Sequence, residues 1–152
     1  MSTDSTFLTE EMRQQAIGVE GKPTVYEVER GAIIKFAEAI GDENPFFNED
    51  TAARKGQYGG LVAPPTFLRC AISSKPDIPF DVPFDRRLDG GSEWEYFQPI
   101  RPKDRITTVS RISDLVERQG RLGTMIITTV VTTYTNQFNE LAATQTTTSL
   151  CY

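Results

Sequence analysis

The chain contains no histidine. Without it, no unperturbed side chain changes charge between roughly pH 5 and 8. A general base must then be a carboxylate, a perturbed lysine or cysteine, or a group lent by another chain. Transition-metal sites built on imidazole are excluded too, and neither a metal nor a cofactor is expected. Cysteine is scarce: Cys70 and Cys151 lie far apart and lack any metal-type spacing, which suits a reduced, cytoplasmic chain. No apolar run is long enough to cross a bilayer, and no charged-then-apolar leader opens the sequence. Basic charge is also short, with 16 Lys and Arg against 21 Asp and Glu. That balance argues against nucleic acid as the main partner, because phosphate binding wants a basic field.

What is present fits one domain with its own core, residues 1–152. Residues 1–20 are expected to form a partly flexible N-terminal segment, and the polar residues 1–6 to fray. Residues 24–29 read as a short strand rich in β-branched and aromatic side chains. A helix is expected over residues 31–40, with Ile33, Ala37 and Ile40 on one face, Ile34 and Phe36 widening the stripe, and Gly41 ending it. Asp50 is placed to cap a short helix over residues 51–55, closed by Gly56. Pro64 and Pro65 then open a third helical segment, residues 66–74, apolar almost all round and so expected to be buried. Cys70 in that segment reads as a small buried hydrophobe.

Residues 75–88 form a proline-interrupted loop whose Ile78, Phe80, Val82 and Phe84 should fold back over something. After Gly90-Gly91 the pattern is all strand: residues 92–98, 105–117, 122–135 and 141–150. The third of these is apolar on both faces and reads as central. Helices first and antiparallel strands afterwards imply an α+β domain. Glu93 and Glu95 alternate on their strand and most simply face solvent or a partner subunit.

The chemistry-bearing stretches are Gly41-Asp42-Glu43-Asn44-Pro45-Phe46-Phe47 and Gly60-Leu61-Val62-Ala63-Pro64-Pro65-Thr66-Phe67. With Tyr26-Glu27-Val28-Glu29-Arg30 and Gly90-Gly91-Ser92-Glu93-Trp94-Glu95-Tyr96 they resemble the MaoC-like hydratases and dehydratases, in the variant found as that family's N-terminal hot dog. The resemblance implies a hot-dog fold, an antiparallel sheet wrapped around one buried central helix. It also implies action on 3-hydroxyacyl or trans-2-enoyl thioesters of coenzyme A or acyl carrier protein. Active members use Gly-Asp-x-Asn-Pro-x-His, which assigns Asp42 and Asn44 to catalytic positions and sets Phe47 where the histidine belongs. Adding water across an enoyl double bond needs a base for the water and an acid for the α-carbon, and a carboxylate with an imidazole can share both tasks. Backbone amides near Thr66 and Phe67 would stabilise the enolate oxygen.

Phe46, Phe47, Tyr58, Ala63, Pro64, Thr66, Phe67, Phe80 and Phe84 are the expected substrate-binding residues. Each carries a plainer reading: Asp42 and Asn44 as turn residues, Phe46 and Phe47 as core aromatics. Arg86, Arg87, Arg101, Lys103 and Arg105 either meet a carrier's phosphates or form a solvated fringe. Four functions remain open. The chain is the substrate-binding subunit of a two-chain dehydratase, resembling the non-catalytic subunit of mycobacterial heterodimers; an active homodimer using Asp42 with another carboxylate or Tyr58; a thioesterase, against which residues 66–74 offer no acid; or a non-catalytic acyl-binding protein. A dimer, of two copies or with a catalytic hot-dog subunit, follows because one sheet leaves an edge unpaired.

Overall fold

The computed structural model describes residues 6–152; residues 1–5, expected to fray, lie outside the described residues. Five antiparallel strands form one sheet: β1 (Thr24–Glu27), β2 (Arg87–Tyr96), β3 (Arg105–Gly120), β4 (Gly123–Thr135) and β5 (Leu141–Cys151), in the order β1-β3-β4-β5-β2. The strand with apolar residues on both faces, β4, is central as expected. Gly90 and Gly91 do not precede β2 but sit inside it, where the register with β5 shifts between Asp89 and Gly91. A β-carbon at Gly90 would lie 2.9 Å from Leu150 Cδ1 and 3.0 Å from the Thr148 carbonyl, and Gly91 holds φ +107°. Paired glycines there allow a bulge rather than a turn.

The inner face of the sheet is built by alternation. Ile106, Thr108, Ser110 and Ile112 of β3 are buried, and a register shift between Ile112 and Asp114 brings Leu115 back inward. Two apolar clusters result. The larger joins Val28, Ile33, Phe67, Leu68, Ile106 and Tyr134; the smaller joins Leu8, Ala16, Leu115 and Ile126. Hydroxyls occupy the strand positions between them. Ser110 Oγ lies 2.7 Å from Thr132 Oγ1 and donates to Ser73 Oγ at 2.9 Å, while Thr24 Oγ1 donates to the Ile72 carbonyl at 2.9 Å. A buried hydroxyl without a partner costs about 1–3 kcal/mol, so this belt is tolerated because its members satisfy one another.

Helices lie on α1 (Glu10–Ala16), α2 (Arg30–Ala39) and α3 (Asp50–Lys55). None is long and apolar enough to cross a membrane among the described residues. Within the N-terminal segment, helix α1 is tied to the sheet. Thr9 Oγ1 accepts from the Met12 amide, Arg13 Nη2 reaches Asp114 Oδ1 at 2.7 Å, and the Gly18 amide donates to the Ile112 carbonyl at 2.8 Å. In α2, Ile33 and Ala37 are buried as expected, but Ile40 is 49% exposed. Asp50 is the first residue of α3 rather than its cap, and it pairs with Arg30.

The buried helical segment is shorter than residues 66–74. It is a 3₁₀ helix, Pro65–Cys70, with Phe67 and Leu68 buried. Beyond it, Ile72 and Ser73 meet the hydroxyl belt, and Pro76 lies close behind. The Thr24 hydroxyl thus takes up the Ile72 carbonyl, which a longer helix would use. Cys70 is exposed rather than buried, which corrects its reading as a core hydrophobe, and Ile72 is 81% exposed.

Candidate functional site

The first motif begins as a helix ending. Gly41, at φ +71°, donates to the Glu38 carbonyl and Asp42 donates to that of Ala37. These paired bonds close α2 in the way a left-handed glycine permits. Next comes a chain of side-chain turns: Asp42 Oδ1 accepts from the Asn44 amide at 3.0 Å, and Asn44 Oδ1 accepts from the Phe46 amide at 3.0 Å. Asn44 therefore caps the 3₁₀ turn Pro45–Phe47, which proline at its first position favours. The turn reading of both residues is realised in these bonds.

That turn forms one wall of a cavity of about 450 Å³. Asn44, Phe46 and Phe47 line it from one side, Gln57 and Tyr58 from the loop after α3, and Val62, Ala63 and Pro65 from the approach to the 3₁₀ helix. The opposite wall is residues 96–100, Tyr96 through Ile100, at the end of β2. Phe46 meets Tyr58 edge to face, with ring centroids 6.0 Å apart at 88°. Gly56 lets Phe46 sit there, since a β-carbon on Gly56 would overlap the ring. Arg101 Nη1 donates to the Tyr58 carbonyl at 2.7 Å, and Asp104 Oδ2 accepts from the Arg101 amide at 2.8 Å. Two of the arginines considered for a carrier's phosphates thus have structural contacts: Arg101 with this loop, and Arg105 with Glu27 at 3.5 Å.

Of the expected residues, the cavity brings together Asn44, Phe46, Phe47, Tyr58 and Ala63. Asp42 is not in the lining, although its turn bonds hold Asn44 there. Pro64 is fully buried, Thr66 is exposed, and Phe67 is a core residue packed edge to face on Tyr26 and Phe36. Phe80 and Phe84 are corrected outright. They pack on Phe7 at 6.4 and 6.0 Å in the smaller cluster, so the loop folds back over the N-terminal segment and not over the cavity. Of the two amides expected to hold an oxyanion, those of Thr66 and Phe67, the second donates to the Pro64 carbonyl at 2.9 Å.

Sequence reasoning missed the wall at residues 96–100. Its signal was adjacent aromatics, Tyr96-Phe97, which break strand alternation just before Pro99. Both are substantially exposed, at 43% and 51%. Trp94 stacks on Tyr96 at 5.9 Å and tilts against Tyr134 at 5.3 Å. Burial, with the nearby Tyr96 adding and Arg69 opposing, pushes Tyr134 up to about 12; its hydroxyl donates to Gln145 Oε1 at 3.1 Å. Partial desolvation also raises Tyr96 and the Cys70 thiol, although both residues keep substantial exposure. These groups stay protonated near neutrality, so neither tyrosine serves as a base and the thiol is a poor nucleophile.

Comparison with known proteins adds the following. A family model described as the FAS1-like dehydratase domain region matches residues 15–145. A UPF0336 protein of Saccharopolyspora erythraea is 36% identical over 115 residues, covering 70% of this chain and 72% of that protein. Among solved structures, a MaoC-like dehydratase from Rhodospirillum rubrum superposes with TM-score 0.74 at 23% identity, over 95% of this chain and 97% of its own. The C-terminally truncated HadBC (3R-hydroxyacyl-ACP dehydratase) complex of Mycobacterium tuberculosis gives TM-score 0.70 at 22% identity, over 89% of this chain and 96% of that chain. At such identities the structures speak to the fold alone, which is the hot-dog fold.

Proposed function

Because this chain belongs to the FAS1-like dehydratase-region family, we propose that it is the substrate-binding subunit of a two-chain dehydratase. Its ligands are 3-hydroxyacyl or trans-2-enoyl thioesters of coenzyme A or a carrier protein, in the cytoplasm. The observation that carries this reading is the cavity beside the motif: large enough for part of an acyl thioester, lined by Phe46 and Phe47, and without a proton carrier. Phe47 stands in the lining where active relatives of the MaoC type would have histidine. Asp42 is outside the lining, with Oδ1 engaged by the Asn44 amide. Phe46, Phe47 and Ala63 contact the acyl chain, while Asn44, Gln57 and Gln98 offer amides to the polar arm of the carrier. The proton transfers that add or remove water come from the paired chain, which supplies both carboxylate and imidazole.

The test is binding and turnover of a short trans-2-enoyl-CoA by the isolated protein. Trp94 fluorescence reports binding, since its ring stacks on Tyr96 in the cavity wall, and loss of enoyl absorbance reports hydration. Binding with turnover at least about 10²-fold below that of an active hydratase is expected, the scale of losing a general acid–base group. Full turnover by the lone chain rejects the subunit role; no binding rejects the cavity as a thioester site.

A further inference from the structure

Among the described residues two non-glycine positions hold a positive φ, Asn139 at +60° and Lys103 at +73°. Asparagine tolerates that left-handed backbone; lysine has no such tolerance. Lys103 is the third residue of the turn over residues 101–104, which the Asp104 amide closes by donating to the Arg101 carbonyl at 3.1 Å. Proline at the second position and a positive φ at the third make a turn that selects glycine there.

The surroundings impose this backbone. The Lys103 amide donates to the Val28 carbonyl and the Val28 amide to that of Asp104, both at 2.8 Å. The buried Asp104 carboxylate accepts from the Arg101 amide at 2.8 Å and from Gln137 Nε2 at 2.9 Å. None of these bonds needs a lysine side chain, so glycine would hold the same turn with less strain. What lysine adds is an ammonium group. The residue is exposed and joins no ion pair among the described residues. Of the acids that the turn brings near, Asp104 is spent on the turn and Glu27 pairs with Arg105; Glu29, beside Val28, forms no ion pair with Lys103.

The turn continues the cavity wall. Residues 96–100 form that wall, and Arg101, at the turn's first position, holds the carbonyl of the lining residue Tyr58 at 2.7 Å. Tyr58 is 38% exposed, so this flank of the cavity reaches solvent. Arg54 and Lys55, in the last turn of α3, lead into the same loop, while Glu49 and Asp50 lie at the helix's other end with Asp50 paired to Arg30.

We propose that Lys103 is a specificity residue at the cavity rim, pairing with a phosphate on the carrier arm of the bound thioester. The inference rests on the thioester reading and deepens it. That phosphate is either the one ending pantetheine, shared by coenzyme A and a carrier protein, or one on the adenosine end of coenzyme A. Asn44, Gln57 and Gln98 in the lining are uncharged, so the arm's charge is left to be met outside. On a chain of net charge −5 an anion needs a fixed cation there, and an ammonium pairs with phosphate as a point charge.

Calorimetry at low salt compares wild type, K103G and K103R with a trans-2-enoyl group carried on coenzyme A, on phosphopantetheine and on pantetheine, which has no phosphate. K103G should bind enoyl-CoA about two- to fivefold more weakly, the scale of an exposed ion pair, and high salt should erase the difference. Enoyl-pantetheine should bind both proteins alike, and K103R, which keeps the charge, should keep the affinity. K103G should also melt about 2–3 °C higher, because the strain relieved exceeds the freedom added to the unfolded chain. A loss shared by the phosphopantetheine thioester assigns the contact to the pantetheine phosphate; a loss confined to enoyl-CoA assigns it to the adenosine end. K103G matching wild type on enoyl-CoA, weakening enoyl-pantetheine equally or melting lower overturns the proposal, as does K103R binding no better than K103G. Wild type binding none of the three thioesters rejects the thioester reading itself, and this contact with it.

Discussion

Replacing Gly56 with alanine probes the cavity wall without touching any polar group. Gly56 has φ −84° and ψ 178°, a conformation that alanine adopts freely. On backbone entropy alone, Gly56→Ala should stabilise the protein by about 0.4–1 kcal/mol. Sterics oppose this. The new methyl would overlap the Phe46 ring at Cε1 and lie 2.8 Å from its Cζ. The backbone of Phe46 is tethered, its carbonyl accepting from the Val62 amide at 3.1 Å, and Tyr58 holds the ring from one side. The cavity that the ring lines gives it room to yield.

Overpacking of this kind costs about 1–3 kcal/mol, which outweighs the entropy gain and leaves a net loss of about 1–2 kcal/mol. For a chain of this size that is a fall in Tm of about 3–6 °C. The displaced ring should also weaken enoyl-CoA binding by about tenfold. Adding Phe46→Leu, which clears the space, should recover about 1 kcal/mol, as coupled contact pairs do. Thermal melts and titration calorimetry on the two single variants and the double variant complete the cycle. A Gly56→Ala protein that melts higher than wild type and binds unchanged would refute the close approach, and with it the cavity wall as described.

Three further outcomes follow from other contacts. Arg101→Met removes the 2.7 Å bond that pins the Tyr58 carbonyl; calorimetry should show thioester affinity falling several-fold while Tm moves little, because the site is near the surface. Tyr134 deprotonates near 10 when unfolded and about 12 when folded, so its contribution is full below pH 10 and is lost as pH rises through 12. The unfolding free energy from urea melts should drop by about 1 kcal/mol between pH 10 and 11, and Tyr134→Phe should flatten that slope. The Arg13 guanidinium, through its hydrogen bond, holds Asp114 below the usual carboxylate range. The contact is therefore intact above about pH 4 and lost as pH falls through the lowered value. Hydrogen exchange in residues 7–20 should rise in acid before the sheet unfolds, and Asp114→Asn should bring the same rise at neutral pH.

The strands were legible because their alternation is long and their turns fall where glycine and asparagine cluster. The ends were less so. Residues 119–120 read as a turn, yet β3 runs to Gly120 and the chain reverses at Arg121 and Leu122. Helix α1 was missed although Thr9, Glu10 and Glu11 spell a capped first turn; a seven-residue helix has too few apolar positions to show a period. The central helix was overextended because periodicity registers apolar content but not competition. Ser73, Thr24 and Ser110 pull the chain after Ala71 toward the sheet, and that depends on partners far apart in sequence. For the same reason Phe80 and Phe84 were assigned to the wrong cluster: a loop's apolar residues announce burial without saying against what. Asn44, Phe46 and Phe47 came out adjacent because one tight 3₁₀ turn carries all three, so local sequence was enough.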